Sequence, residues 1–135
     1  MKYFAKRKER EGMGVFVNFS NHPSLRWSDE QLKVARQQYG EIIDVPFPAL
    51  DPCMDEKAIA EIGDDCIEKI LKLSPCAVMC QGEFTLTYYV VKRLIDKGIP
   101  CVSACSERSS FEVLKEDGSV CKDSLFSFSG FRKYI

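Results

Sequence analysis

Apolar residues along this chain alternate between two rhythms, short solid runs and longer stretches at helical spacing. Val15-Phe16-Val17-Asn18-Phe19 is a solid run, which suits a strand buried on both faces, and the polar loop Ser20 to Ser24 follows it. Ser28 followed by Gln31 forms a capping-box pattern, and Leu32, Val34, Ala35 and Tyr39 continue a helix to Gly40. Ile42 to Val45 reads as a second strand, ended by Pro46 and Pro48. After a loop through Asp51-Pro52, a stripe from Ile59 through Ile62, Cys66, Ile67 and Ile70 to Leu71 predicts a second helix, slightly weakened by Gly63. Cys76 to Cys80, preceded by Ser74-Pro75, is a third strand. Leu86, Val90, Val91, Leu94 and Ile95 then make a third helix that stops at Lys97-Gly98. Ile99 to Ala104 is a fourth strand, and Pro100 fits only its first turn of ladder or a sheet edge.

Beyond a polar loop, Cys105 to Ser110, the pattern changes character. Phe111 to Leu114, the turn Glu116-Asp117-Gly118-Ser119 and Leu125 to Phe128 predict a β-hairpin whose signal is Asp-Gly. The order βαβαβαβ followed by ββ, with right-handed crossovers, predicts an α/β fold. The expectation is a Rossmann-like three-layer sandwich with a mostly parallel central sheet and a C-terminal β-hairpin. Residues 13–135 read as one domain, and residues 1–12 (MKYFAKRKEREG) as a charged N-terminal extension. That extension is either a solvated basic arm or a contact for a phosphate backbone. With a flavodoxin-like strand order the first and third strands are neighbours at the switch point where ligands bind. The Ser20–Ser24 and Gln81–Thr85 loops then meet at one edge, joined by the Ser106–Ser110 loop.

Composition narrows the function classes. A formal net charge of −1 gives no global attraction to nucleic acid, so duplex nucleic acid is not an expected partner. Seven cysteines, an odd number without a CxxC, point away from a disulfide framework and toward a reducing, cytoplasmic setting. With a single His and apolar neighbours around the cysteines, no metal site is expected. No GxGxxG follows the first strand and no Walker lysine is present, so neither a dinucleotide cofactor nor an NTPase is expected. No apolar run approaches membrane-spanning length, and the first twelve residues lack the apolar centre of a signal peptide.

The candidate chemistry gathers where the third strand turns into its helix. Gly82 lets the backbone come close to a ligand, and the first helix amides are free donors with positive dipole character. Glu83 would repel a phosphate there and better serves a sugar hydroxyl, a base edge or a proton; alternatively it complements the helix dipole. Thr85 and Thr87 can bond ligand oxygens or satisfy the backbone. Asn18, Ser20, Asn21, Gln81 and Ser106 add hydrogen-bonding groups at the same edge. His22 is a candidate general acid or base, or a loop anchor before Pro23. Arg108 is a candidate phosphate clamp, or the partner of Glu107 or Glu112.

Four segments carry a resemblance: Val15 to Pro23, Gln81 to Tyr88, Ser103 to Arg108, and Phe128-Ser129-Gly130-Phe131-Arg132-Lys133-Tyr134. In them an opening strand runs into an Asn/Ser/His loop, a Gln-Gly-acid turn precedes a Thr-Tyr helix, a Ser-rich turn ends in Arg, and a Phe-Arg-Tyr run closes the chain. The pattern, from about Val15 to Tyr134, resembles the small stand-alone CRISPR-associated Rossmann-fold-like (CARF-like) proteins. The resemblance implies a homodimer that binds cyclic oligoadenylate across its two-fold axis and, in some members, cleaves it as a metal-independent ring nuclease. By that carry-over Asn21, His22, Gln81, Glu83, Thr85 and Arg108 line the site, with His22, Glu83 and Arg108 as candidates for catalysis. Two features depart from the pattern: Met1 to Gly12 precedes the usual strand start, and no residue matches a catalytic Lys or Ser. A 2′-OH beside the scissile phosphate would need only in-line positioning and charge stabilisation. Two alternatives of other classes are a non-catalytic sensor or sponge for the same ligand, and a glycosidic-bond enzyme with Glu83 as nucleophile.

Overall fold

The computed structural model describes residues 13–135, so the expected charged extension at 1–12 lies outside the described residues. Five strands form one sheet: β1 (Gly14–Ser20), β2 (Gly40–Asp44), β3 (Ala77–Gln81), β4 (Cys101–Leu114) and β5 (Val120–Lys133). Three helices accompany them, α1 (Asp29–Gln38), α2 (Glu56–Lys72) and α3 (Phe84–Asp96), with a short 3₁₀ turn at Ser24–Arg26. The strand order is β2-β1-β3-β4-β5, with β1 to β4 parallel and β5 antiparallel to β4. The chain is therefore mixed α/β with a mostly parallel sheet and helices around it. As expected for a flavodoxin-like strand order, β1 and β3 are neighbours, pairing from Phe16↔Ala77 to Ser20↔Gln81.

The helices begin where side chains cap them. Ser28 accepts from the Gln31 amide at 3.2 Å and starts α1, as the capping-box pattern requires. Asp55 accepts from the Ala58 amide at 2.9 Å and starts α2. The apolar stripes then go to opposite faces of the sheet. Phe16, Ala77, Met79 and Val102 face α1, packing with Trp27, Ala35 and Leu32. Val17, Phe19, Val78 and Cys80 face α2 and α3, packing with Ile67, Ile70, Leu86, Val90 and Leu94. Central strands flanked by helices on both sides need apolar residues at every position, which explains the solid runs at Phe16–Phe19 and Ala77–Cys80.

The largest departure from the expectation lies after Ala104. Cys105 to Ser110 is not a loop: β4 continues unbroken to Leu114, paired with β5 from Val102↔Lys133 to Leu114↔Val120 across a bulge at Cys105/Ser106. The hairpin is thus a long two-stranded ribbon, while β4 pairs with β3 only at Val78↔Cys101 and Met79↔Val102. Its residues from Ser106 to Leu114 are all exposed, so neither face imposes the alternation by which a half-buried strand is recognised. The turn is where Asp-Gly placed it: Gly118 has φ 83°, and Asp117 accepts from the Ser119 amide at 2.9 Å.

Candidate functional site

The C-terminal ends of β1 and β3 hold the loop after β1 in place through a chain of mostly part-buried hydrogen bonds. Asn18, 1% exposed, donates from Nδ2 to the His22 carbonyl at 2.8 Å and to Asp44 Oδ1 at 3.1 Å. Its Oδ1 accepts from the Ser20 hydroxyl at 2.7 Å, and Ser20 Oγ in turn accepts from the His22 amide at 3.1 Å. The Trp27 indole also donates to the His22 carbonyl, at 3.0 Å. Asp44 reaches on to the Ser24 amide at 3.1 Å. Three of these bonds end on one residue, His22, whose imidazole stands exposed at the edge. Asn18 and Ser20 act through that positioning, since their polar atoms are committed to the loop.

Gln81 performs a comparable task on β3. Its Oε1 accepts from the Ala104 amide at 2.6 Å, continuing by side chain the ladder that β3 and β4 stop making in backbone after Val102. The Gln81 carbonyl accepts from the Asn21 amide at 3.3 Å. The separation of β4 from β3 opens a cleft of about 530 Å³ between α1 and the root of the ribbon. Its floor is Met79, Gln81, Ala104 and Ser106; its walls are His22, Arg26, Trp27 and Gln31 on one side and Phe126 and Phe128 on the other. A second hollow of about 360 Å³ lies across His22 and Gln81, lined by Asn21, Gly82, Phe84, Thr87, Ser103 and Tyr134. Tyr134 is held there by its hydroxyl, which donates to the Cys80 carbonyl at 2.6 Å.

The helix start at Gly82-Glu83 differs from an open anion site. Glu83 is the N-cap of α3: its carboxylate accepts from the Leu86 amide at 2.8 Å, the Thr85 amide at 3.0 Å and the Thr85 hydroxyl at 2.7 and 2.8 Å. The Leu86 amide first, then the Thr85 hydroxyl and amide, hold this carboxyl below its ordinary value, so it is an anion at neutral pH. The donors expected for a ligand are therefore occupied by the chain's own carboxylate. The space over Gly82 is taken by Phe47, whose ring would lie 2.5 Å from an added Cβ, so this glycine serves a close approach of Phe47. Thr87 Oγ1 is buried without a well-formed hydrogen bond, beside the Cys80 thiol, a poor partner. Burial pushes the Cys80 thiol far up and the Cys101 thiol to about 12, which makes both inert core groups.

Arg108 sits farther out on the ribbon. Its guanidinium donates to Ser124 Oγ at 3.1 and 3.2 Å and lies 5.8 Å from the centre of the Phe126 ring. Because Arg108 pairs with Phe126 and Ser106 with Phe128, Arg108 shares the face that walls the cleft, one strand repeat beyond Ser106. Neither Glu107 nor Glu112 forms an ion pair with it among the described residues; the one pair there is Lys72–Glu68 on α2. The structure thus brings His22, Gln81 and Ser106 together around the cleft, and Asn21, Gly82 and Thr87 around the adjoining hollow. Thr85 and Glu83 are engaged with each other at the helix start. Sequence reasoning missed Arg26, Trp27, Gln31, Phe126 and Phe128. Trp27 alone had a visible signal, as the single Trp standing directly before a helix cap.

The fold and this edge define the class: a mixed α/β chain with an aromatic and amide-lined cleft beyond the C-terminal ends of adjacent parallel strands. The chain belongs to a family described as the uncharacterized protein MJ1673 family, whose sequence model matches residues 14–132, from the first residue of β1 into the end of β5. No curated protein and no solved structure matches the chain. Among the described residues no helix is long and apolar enough to cross a membrane, and no group of His, Cys, Asp and Glu could hold a metal ion.

Proposed function

We propose that this chain is a Rossmann-like, CARF-like protein that binds cyclic oligoadenylate, as a homodimer in the cytoplasm. The observation that carries the reading is the cleft between β3 and the ribbon. The aromatic side chains of Trp27, Phe126 and Phe128 line it together with the amide and imidazole groups of Gln31, Gln81 and His22. A nucleobase needs that combination, a face on which to stack and donors and acceptors for its edge. A volume of about 530 Å³ is adequate for one nucleotide unit, so a ring would occupy one cleft per copy and bridge the two. Cations for its phosphates stand at Arg26 on the rim and Arg108 on the same ribbon face, while the start of α3, neutralised by Glu83, is left to ribose hydroxyls.

The same geometry favours binding over turnover. Glu83, the carboxylate that would move a proton or attack a glycosidic carbon, accepts from three donors of its own helix and is held as a weakly basic anion. His22 is then the remaining general acid or base, with Arg108 for charge, should the ring be cut by its own 2′-OH.

Calorimetric titration with cyclic tri-, tetra- and hexa-adenylate tests the reading, with chromatography of the recovered ligand. We expect saturable binding of one ring size and recovery of mostly intact ring. Linear product would move the assignment to a ring nuclease, and released adenine to a glycosidic enzyme. Phe126→Ala should weaken binding by about 1–3 kcal/mol through lost stacking, and Arg108→Ala by roughly 1.5–3 kcal/mol through a lost phosphate contact. Failure of all three rings to bind would sink the proposal.

A further inference from the structure

The ribbon leaves the sheet with one face that nothing described covers. In the body each sheet face has helices packed on it, α1 on one side and α2 with α3 on the other. Beyond Cys105 the strand alternation continues, placing Phe111, Val113 and Leu125 on the α2–α3 side together with Asp123, the cross-strand neighbour of Phe111. Phe111 remains 47% exposed and Leu125 58%. A lone two-stranded ribbon carrying such residues is at best marginally stable in water, so the face calls for a cover.

A surface of matching character occurs on α3. Phe84, Tyr88 and Lys92 follow one another at four-residue steps along one helix face, with Phe84 88% and Tyr88 69% exposed. The Lys92 ammonium lies 5.9 Å from the centre of the Tyr88 ring, which makes the stripe aromatic at one end and cationic at the other. The ribbon face is apolar and acidic, with Glu107 and Asp123 flanking Phe111 and Leu125.

We propose that two copies of this chain associate by exchanging ribbons, the Phe111–Leu125 face of each lying on the Phe84–Tyr88 stripe of the other, with Asp123 and Glu107 opposite Lys92. The charges are complementary between the two surfaces, and each copy owns one of each, so a two-fold axis satisfies both contacts at once and closes the assembly. The other face of the same ribbon carries Phe126 and Phe128, so docking the ribbon also fixes one wall of each cleft. This inference rests on the dimeric part of the reading above and is independent of the ligand.

Sedimentation of the full chain over a concentration series tests it, with thermal melting of every variant as a check on folding. We expect a dimer for the parent chain and at least tenfold weaker self-association for F111D. K92E and D123K should each weaken the dimer several-fold, and the double variant K92E/D123K should regain most of the loss, since each new Lys then meets a new Glu across the axis. If F111D fails to fold, the charge series carries the test, because Lys92 and Asp123 are both exposed. A dimer indifferent to F111D and to both charge reversals overturns the ribbon exchange and leaves dimerisation standing. A strict monomer, with and without cyclic tetra-adenylate, overturns both and points to cover from within the chain. Titration of cyclic tetra-adenylate into the same variants separates either result from a failure of ligand binding.

Discussion

The body of the sheet and the ribbon that grows from it are built from the same chain by opposite means. At the C-terminal ends of β1 and β3 almost every polar group is engaged: Asn18 is buried with three side-chain bonds, and Gln81 is tied to β4. Beyond Cys105, β4 and β5 hold each other through nine paired positions, with no helix on either side and apolar side chains in solvent. The first region can place an imidazole to within a narrow range of positions. The second can offer area, aromatic faces and a cation, but relies on a partner or ligand to hold it still. The proposed cleft lies on the seam, with one rigid wall and one supplied by the ribbon.

The comparison is tested most severely by truncating one apolar residue in each region. Phe16 has no exposure and touches three aromatic rings, with Tyr39 at 4.4 Å, Phe131 at 5.2 Å and Trp27 at 6.4 Å between centroids. Phe16→Ala should cost about 3–5 kcal/mol in denaturant unfolding, since the cavity it leaves cannot collapse. Leu114→Ala, at a ribbon position 74% exposed, should stay within about 0.5 kcal/mol. Equal losses at the two positions would mean that the ribbon is packed as tightly as the body.

Asn18→Ala should come next, at about 1–3 kcal/mol, because it removes one donor from the His22 carbonyl and the side-chain acceptor of the buried Ser20 hydroxyl. Its sharper consequence is at the site: with the loop released, the His22 imidazole should show broadened or shifted nuclear resonances, and cyclic oligoadenylate affinity should fall although Asn18 does not line the cleft. A variant that loses stability and keeps a native-like His22 signal would separate the buried network from the site.

Gly82→Ala should cost about 1–3 kcal/mol, the usual range for overpacking, because the new methyl must displace the Phe47 ring. Phe47→Leu in the same background should recover part of the loss, which unfolding of the pair would reveal as non-additivity. A fully additive pair would show that Gly82 serves something other than Phe47.

The contrast also explains what the sequence disclosed. The body was legible because a core on both sides of a parallel sheet demands solid apolar runs, helical stripes and capping residues, and Phe16 to Phe19, Ala77 to Cys80 and Ser28 with Gln31 supply them. The adjacency of β1 and β3 was expected only on a flavodoxin-like strand order, and the order β2-β1-β3-β4-β5 contains it. The grouping of Ser20, His22 and Gln81 at one edge was legible because Ser20 and Gln81 end β1 and β3 and His22 lies in the loop that follows β1, where the architecture gathers polar groups. The ribbon was hidden for the converse reason: the run Cys105-Ser-Glu-Arg-Ser-Ser110 has neither period, since neither face is buried. Its aromatics at Phe126 and Phe128 reach the cleft only through a register set by the bulge at Cys105/Ser106, which no local pattern encodes. The role of Glu83 was an ambiguity of another kind. An acidic residue at a helix start reads equally as a cap or as a functional group, and only the bonds to Thr85 and Leu86 decide.

The smallest effect belongs to that residue and marks the boundary between the two regions, because Glu83 is exposed yet fully engaged. Its carboxyl is held below the ordinary value of 4.5 by the Leu86 amide, then by Thr85. A group whose folded pKa is depressed stabilises the protein above its unfolded pKa and loses that contribution as the pH falls through the folded value. Glu83→Gln should therefore cost a few tenths of a kcal/mol at neutral pH, near the low end for a charge at a helix N-terminus in solvent. The gap between parent and variant should close as the pH is lowered from about 4.5. Affinity for cyclic oligoadenylate should hold or rise in Glu83→Gln, since removing the negative charge lessens repulsion of a phosphate. Melting curves from pH 7 to pH 3 check the first part and calorimetry the second. A gap that stays constant with pH would show that the cap acts through shape alone, and a large loss of ligand affinity would place the carboxylate in direct contact with the ligand.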